Sequence, residues 1–136
     1  KAVMLGRDNV TALYNLGYCY QEKKEYAKAL ENYKKVLEID KSFKDALYQM
    51  ASIYEEEKDY PSALETLEKL AKTDPKNQSS MERLGKMLIR VGKVTEGVKT
   101  LEEVIKLDPG SSTAKDAQKE IDGLKHSKFQ GIPKPR

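Results

Sequence analysis

"EYAKALE", residues 25–31, recurs 34 residues later as "DYPSALE", residues 59–65. A weaker copy, "KVTEGVK", begins after another 34 residues at Lys93. Self-similarity at a fixed period of about 20 to 50 residues indicates a repeat architecture, in which each copy is one supersecondary unit that stacks on its neighbours. Every other segment of the chain is therefore interpreted by its position within this period.

The same 34-residue offset relates seven further sets of positions, which extend across most of each copy. Chance does not explain so many matches at one offset. The sets are Leu13, Leu47 and Met81; Leu16, Met50 and Leu84; Gly17, Ala51 and Gly85; Tyr20, Tyr54 and Leu88; Ala29, Ala63 and Gly97; Tyr33, Leu67 and Leu101; and Asp40, Asp74 and Asp108.

Each copy contains two stretches in which apolar residues fall at helical spacing. Polar runs such as "QEKKE", residues 21–25, separate the two stretches. Pro75 and Pro109 follow the second stretch, as a helix stop signal does. The pattern predicts three helix pairs, at 10–23 and 26–40, at 44–57 and 60–73, and at 78–91 and 94–107.

This arrangement resembles the tetratricopeptide repeat (TPR) family, whose unit is a helix–turn–helix of the same length. In the first copy the family pattern falls on Leu13, Leu16-Gly17, Tyr20, Ala29 and Tyr33. The chain departs from the pattern because it has no tryptophan and carries Lys41 where the first closing proline is usual. The resemblance implies an all-α fold, a right-handed α-solenoid with TPR 1 at 10–43, TPR 2 at 44–77 and TPR 3 at 78–111.

The start of the chain is predicted to continue the repeat pattern upstream. Residues 1–9 are interpreted as a remnant of the second helix of a preceding repeat in a longer array, because Ala2 and Leu5 fall 34 residues before Val36 and Ile39. A short unrelated leader is the alternative.

The segment after the third copy is predicted to be a C-terminal capping helix, residues 112–125, followed by an extended tail, residues 126–136. The capping helix has one apolar stripe and is otherwise charged, and the tail has no periodicity and two prolines. Docking of Phe129 and Ile132, for instance in a neighbouring molecule's groove, is predicted to order the tail. The stripe consists of Ala114, Ala117, Ile121 and Leu124.

Composition excludes several classes of function. Basic and acidic residues nearly balance, at 25 and 22 of 136, so nucleic-acid binding is disfavoured despite a pI near 8.8. No apolar run reaches the roughly 18 residues that a transmembrane helix needs, so no membrane partner is expected. A single cysteine cannot form an internal disulfide, which favours a cytoplasmic location.

Catalysis is not expected, because reactive side chains are few. His126 is the only histidine and Cys19 the only cysteine, and they lie far apart in the sequence. Nucleophilic catalysis and metal sites both need several such groups to converge. We therefore predict no catalytic residues, no metal and no cofactor, and we interpret Cys19 as a small packing residue on an inner helix face.

The resemblance implies that the first helices line a concave groove that holds a peptide or a partner helix. Tyr14, Tyr18 and Tyr48 would offer apolar area with a hydrogen-bonding tip, as interface anchors do. Packing of Tyr14 and Tyr48 between neighbouring first helices is the alternative. Basic residues in the third copy favour a ligand with an acidic end. The groove positions are Tyr14, Asn15, Tyr18, Tyr48, Gln49, Ser52, Arg83, Lys86 and Arg90.

Co-chaperones of this family grip the acidic C-terminal tails of heat-shock chaperones with a carboxylate clamp of lysine, asparagine and arginine side chains. Only Arg83 agrees with that clamp, so tight binding to such tails is not expected. The matching positions here are Tyr14, Tyr18, Gln49, Ser79 and Arg83.

The sequence thus predicts a non-catalytic protein–protein interaction module, an adaptor or scaffold that binds a peptide or a partner helix. The alternative is a structural module that self-associates through the ends of the solenoid or through the tail, residues 126–136. Nucleic-acid binding is the least favoured of the three.

Overall fold

A computed structural model describes the backbone of residues 2–131 and the side chains of residues 9–125. Its described part contains seven helices and no strand, which confirms the predicted all-α fold. The chain divides into two compact units, Lys1–Thr73 and Asp74–Arg136. The helices are α1 Ala2–Glu22, α2 Tyr26–Ile39, α3 Lys44–Glu56, α4 Tyr60–Thr73, α5 Gln78–Arg90, α6 Val94–Leu107 and α7 Ser112–Gly131.

The turn inside each helix pair repeats with the same period as the sequence. Lys24, Lys58 and Gly92 have φ values of 63°, 61° and 97° respectively, in the left-handed region. After each of them, the next backbone N–H donates to a carbonyl five residues earlier at 2.8 Å, as in the closure from Lys93 to Leu88. These contacts satisfy carbonyls that the helix end leaves without partners. The three turns are therefore one motif, and only the third carries the glycine that it favours.

The first unit packs α2 against α3 through two matching apolar stripes. Ala29, Tyr33 and Val36 of α2 are fully buried and share one cluster with residues of α3. Burial of such side chains contributes roughly 1.5–3 kcal/mol for each large residue. The residues of α3 in this cluster are Ala46, Met50 and Ile53.

Two features hold the second unit together: the backbones of α5 and α6 approach closely, and α7 packs on both helices. A Cβ atom added to Gly97 would lie 2.7 Å from the carbonyl oxygen of Gly85, so the observed approach of α5 and α6 requires glycine at position 97. Helix α7 packs on α5 and α6, and Ala117 and Ile121 join the cluster formed by Leu101 and Val104. The Ser111 side chain caps α7 by accepting from the backbone N–H of Ala114 at 3.0 Å.

The ends of the chain differ from the sequence-based prediction. Residues 2–9 continue α1 without a turn, so no separate preceding helix is seen, and residues 126–131 extend α7 where a tail was expected. Both segments lack proline, and a single internal glycine costs a helix only about 1 kcal/mol. The proposed docking of Phe129 and Ile132 lies outside the described side chains.

Candidate functional site

The face of α1 that carries Tyr14 and Tyr18 is the first part of the predicted binding surface. These two residues and Gln21 lie on one side of the helix, because they are four and three residues apart. Tyr18 is 43% exposed, whereas Tyr14 is half-buried. The Tyr14 ring packs against Tyr33 and Phe43 at centroid distances of 5.6 and 5.4 Å. Tyr14 is therefore in large part a packing residue, and Tyr18 offers the more accessible ring.

A chain of hydrogen bonds fixes this face to α2 and α3. The Tyr33 hydroxyl donates to Oε1 of Gln21 at 2.6 Å, and Nε2 of Gln21 donates to Oε1 of Gln49 at 2.9 Å. Gln49 also hydrogen-bonds the Tyr14 side chain. Buried or half-buried polar groups that are fully paired hold their neighbours in one arrangement. The amide of Gln49, one of the predicted groove positions, is thus already engaged within the unit.

The hydroxyls of Tyr14 and Tyr33 stay neutral well above neutral pH. Burial raises the pKa of Tyr14, although the hydrogen bond with Gln49 lowers it in part. Burial is also the main cause of the strongly raised pKa of Tyr33, with the hydroxyls of Tyr14 and Tyr18 as smaller contributions. Loss of solvent disfavours the charged phenolate. These hydroxyls therefore act as hydrogen-bonding groups and not as bases.

Helix α3 contributes Tyr48, Gln49 and Ser52 to the first unit. Tyr48 and Ser52 are half-buried, and the Ser52 hydroxyl donates to the Tyr48 carbonyl at 3.1 Å. Ser52 also borders a cleft of about 310 Å³ beside Gln21, with Glu22 and the residues of the first turn on its other side. The exposed Asn15 adds a polar group beside Tyr18 on α1.

The three basic positions predicted to line the groove, Arg83, Lys86 and Arg90, lie on α5 in the second unit. Arg83 is half-buried, and Lys86 and Arg90 are exposed. Lys86 Nζ lies 3.3 Å from Oε2 of Glu82, whose side chain is only 14% exposed. That carboxylate offsets one of the three positive charges, so this face is less basic than a count of its cations suggests.

The reactive side chains of the described region form no metal-binding group. No three His, Cys, Asp or Glu side chains among the described residues could jointly hold a metal ion. Cys19 is exposed, so its predicted role as a packing residue on an inner face is wrong. None of the helices within residues 2–131 has the length and apolarity to cross a bilayer.

Helix–turn–helix units that recur every 34 residues define an all-α repeat protein. The first helices of these units carry the exposed Tyr18 and the cations of α5. The chain belongs to the tetratricopeptide repeat family, whose sequence patterns match residues 10–43, 45–77 and 79–111. No curated protein sequence matches the chain.

Solved TPR domains share this fold at low sequence identity. The first TPR domain of Spaghetti (RPAP3), bound to the HSP90 peptide SRMEEVD, is 21% identical, with a TM-score of 0.72 over 88% of this chain and 95% of that domain. The Sgt2 TPR domain from Aspergillus fumigatus is also 21% identical, with a TM-score of 0.73 over 93% and 86%. The second TPR domain of human RPAP3, in complex with the HSP70 peptide SGPTIEEVD, is 20% identical, with a TM-score of 0.72 over 86% and 98%.

Proposed function

We propose that this TPR protein-interaction module is non-catalytic and binds a peptide or a partner helix through the face that α1 and α3 form in the first unit. The observation that carries the proposal is the exposure of Tyr18, 43%, in a unit whose other tyrosines are half-buried or buried. An exposed aromatic ring with a polar tip is the kind of side chain that dominates binding energy at interfaces.

The surroundings of Tyr18 support binding because they are held in place before a ligand arrives. Tyr14 packs on two aromatic rings, and Gln49 is tied through Gln21 to the buried Tyr33. A preorganised surface loses less side-chain entropy on association than a mobile one. Asn15 stands exposed beside this rigid part and can pair with a ligand backbone. The likeness of the fold to peptide-binding TPR domains is consistent with the same use of the first helices.

The α5 face supports a preference for ligands with an acidic end. Arg83, Lys86 and Arg90 outnumber the one carboxylate, Glu82, along this side of the helix. Arginine suits carboxylate recognition because its planar fork can donate two parallel hydrogen bonds. We place the module in the cytoplasm, where an exposed thiol such as that of Cys19 stays reduced.

The proposed ligand is not of the chaperone-tail type, because four of the five clamp positions lack the clamp's side chains. We expect the peptide SRMEEVD, which the Spaghetti domain binds, to show no micromolar affinity for this chain in isothermal titration calorimetry. Saturable binding with a dissociation constant near 1 µM would contradict the non-clamp assignment.

The binding face is tested by selecting peptides from a displayed library against the intact chain and comparing two variants. We expect Tyr18→Ala to reduce the binding free energy of the selected peptides by about 1–2 kcal/mol, because the truncated side chain buries less area against the peptide. Ile39→Ala is the matched control, since Ile39 is an exposed apolar side chain, 51% exposed, on α2. Equal affinities for wild type and Tyr18→Ala would reject the α1 and α3 face as the binding surface.

A further inference from the structure

A cleft of about 370 Å³ lies in the first unit, among the ends of α2 and α4 and the start of α3. The buried Leu47 and the half-buried Leu37 supply its apolar side chains, and the three lysines that line it are exposed. Its volume falls within the range of about 300–1,000 Å³ that is typical of ligand pockets. The lining residues are Leu37, Lys41, Leu47, Lys69, Lys72 and Thr73.

The 34-residue period relates this cleft to another one, of about 290 Å³, in the second unit. A cleft at this place is therefore a general result of how the helix pairs pack, and its presence alone does not indicate a ligand. What distinguishes the first cleft lies in its side chains. The residues that line the second cleft, Pro75, Met81, Glu103, Lys106 and Leu107, follow Lys41, Leu47, Lys69, Lys72 and Thr73 by 34 residues.

The two clefts differ in charge. Lys69 stands where the second cleft has Glu103, and Lys41 stands where it has Pro75. The described lining of the first cleft thus has three positive charges and no carboxylate, whereas that of the second has one charge of each sign. Lys72 is explained without a ligand, because a lysine in the last turn of a helix interacts favourably with the helix dipole. That explanation does not extend to Lys69, which lies a full turn before the end of α4.

We propose that this cleft binds an acidic segment of a partner protein, which inserts one large apolar side chain against Leu37 and Leu47 and carries aspartate or glutamate on either side of it. Among the described residues, Lys41, Lys69 and Lys72 form no ion pair, so their charges are open to a ligand. The three lysines belong to two segments, the loop after α2 and helix α4, so a ligand with several carboxylates matches them better than one with a single charge. Charge complementarity of this kind speeds encounter with acidic partners and disfavours basic ones.

This site is additional to the binding face proposed above, because none of the residues that line the cleft is one of the groove positions. Leu47 is next to the groove positions Tyr48 and Gln49 in the sequence, but its buried side chain packs away from them, as the half-buried state of both neighbours indicates. The two sites can therefore be tested separately.

The probe is the acetylated and amidated peptide DEDFDED, titrated into the intact isotope-labelled chain and followed by nuclear magnetic resonance. We expect larger shifts of the backbone amide resonances at Leu47 and Lys69 than at their equivalents Met81 and Glu103, and an affinity that falls as salt is added. Replacing the phenylalanine of the peptide by serine should weaken binding about tenfold, because the apolar side chain that enters the cleft is lost.

Lys69→Glu is the variant that tests the cleft, because it gives the first cleft the acid of the second. It should weaken the peptide about tenfold, since a repulsive charge replaces an attractive one. Lys106→Glu is the matched control, at an exposed lysine of the equivalent cleft, and it should bind as wild type does. Lys41→Ser changes the loop between α2 and α3 and no helix, so it decides the matter if circular dichroism shows Lys69→Glu to be unfolded. It should weaken the peptide about threefold.

Several results would overturn the proposal. One is the absence of shifts at about 1 mM peptide, a concentration that detects even weak docking. Another is an equal loss of affinity in Lys69→Glu and Lys106→Glu. Shifts confined to Arg83, Lys86 and Arg90 would place the peptide on the α5 face and reject the cleft as its site. Binding of dodecanoate, but not of the peptide, at the cleft would make an amphiphile with one charge the ligand.

Discussion

Tyr33 takes part both in the apolar packing of the first unit and in a side-chain hydrogen bond. Its ring is fully buried, and its hydroxyl donates to Gln21 at 2.6 Å. Replacing Tyr33 by phenylalanine keeps the packing and removes the hydrogen bond, so we expect a loss of about 1 kcal/mol in the free energy of unfolding at pH 7. Urea unfolding followed by circular dichroism measures this loss, and an unchanged midpoint would show that the bond contributes nothing.

The raised pKa of Tyr33 gives the same residue a pH dependence. Burial keeps Tyr33 protonated in the folded chain at a pH where the unfolded chain, with its ordinary pKa of 10, has already lost the proton. The folded state then binds more protons, so stability falls as pH rises above about 10, by about 1 kcal/mol between pH 9 and pH 11. Tyr33→Phe should show a smaller fall over this range in the same urea assay, because it removes the titrating group. A parallel decline in both proteins would contradict the assignment.

In two of the three copies, the turn between the paired helices places a lysine in the left-handed region, which costs conformational free energy. Lys58 has a φ of 61°, which costs a residue with a Cβ about 1 kcal/mol or more, whereas glycine adopts it freely. We expect Lys58→Gly to raise the free energy of unfolding by about 0.5 kcal/mol after the greater entropy of glycine in the unfolded chain is subtracted. Thermal and urea unfolding would measure the gain.

The control for this turn is the same substitution inside a helix. Lys69 is exposed and lies inside α4, a full turn before the end of the helix, so Lys69→Gly should lower stability by about 1 kcal/mol. Opposite signs for the two variants are the expected result. A loss in both would mean that the turn at Lys58 is not strained.

Elements were predictable from the sequence where periodicity and the repeat agree. The helices from α2 to α6 begin and end within two residues of the predicted positions, because each buries a stripe that the 34-residue period repeats. The outer ends of α1 and α7 were not predicted correctly, since the 34-residue period repeats no apolar stripe there. The pairing of Gln21 with Gln49 was also missed. These residues lie at different positions of the period, and only the fold brings their side chains together.

For the whole molecule, the pattern of packing predicts how local damage spreads. Helix α7 packs within the second unit, against α5 and α6. In repeat proteins, stability is close to a sum of unit terms and nearest-neighbour terms. Damage at α7 should therefore weaken α5 and α6 and leave α1 and α2 largely unaffected.

Ala117→Asp tests this expectation, because Ala117 is fully buried in the cluster with Leu101 and Val104. A buried carboxylate without a partner should cost the second unit about 2–4 kcal/mol. Hydrogen exchange measured by mass spectrometry should then show faster exchange in α5 and α6 and unchanged exchange in α1 and α2. Lys115→Asp, which places the same side chain at an exposed position of α7, should leave both units as they are. Equal acceleration in all helices would mean that the chain unfolds as one cooperative body.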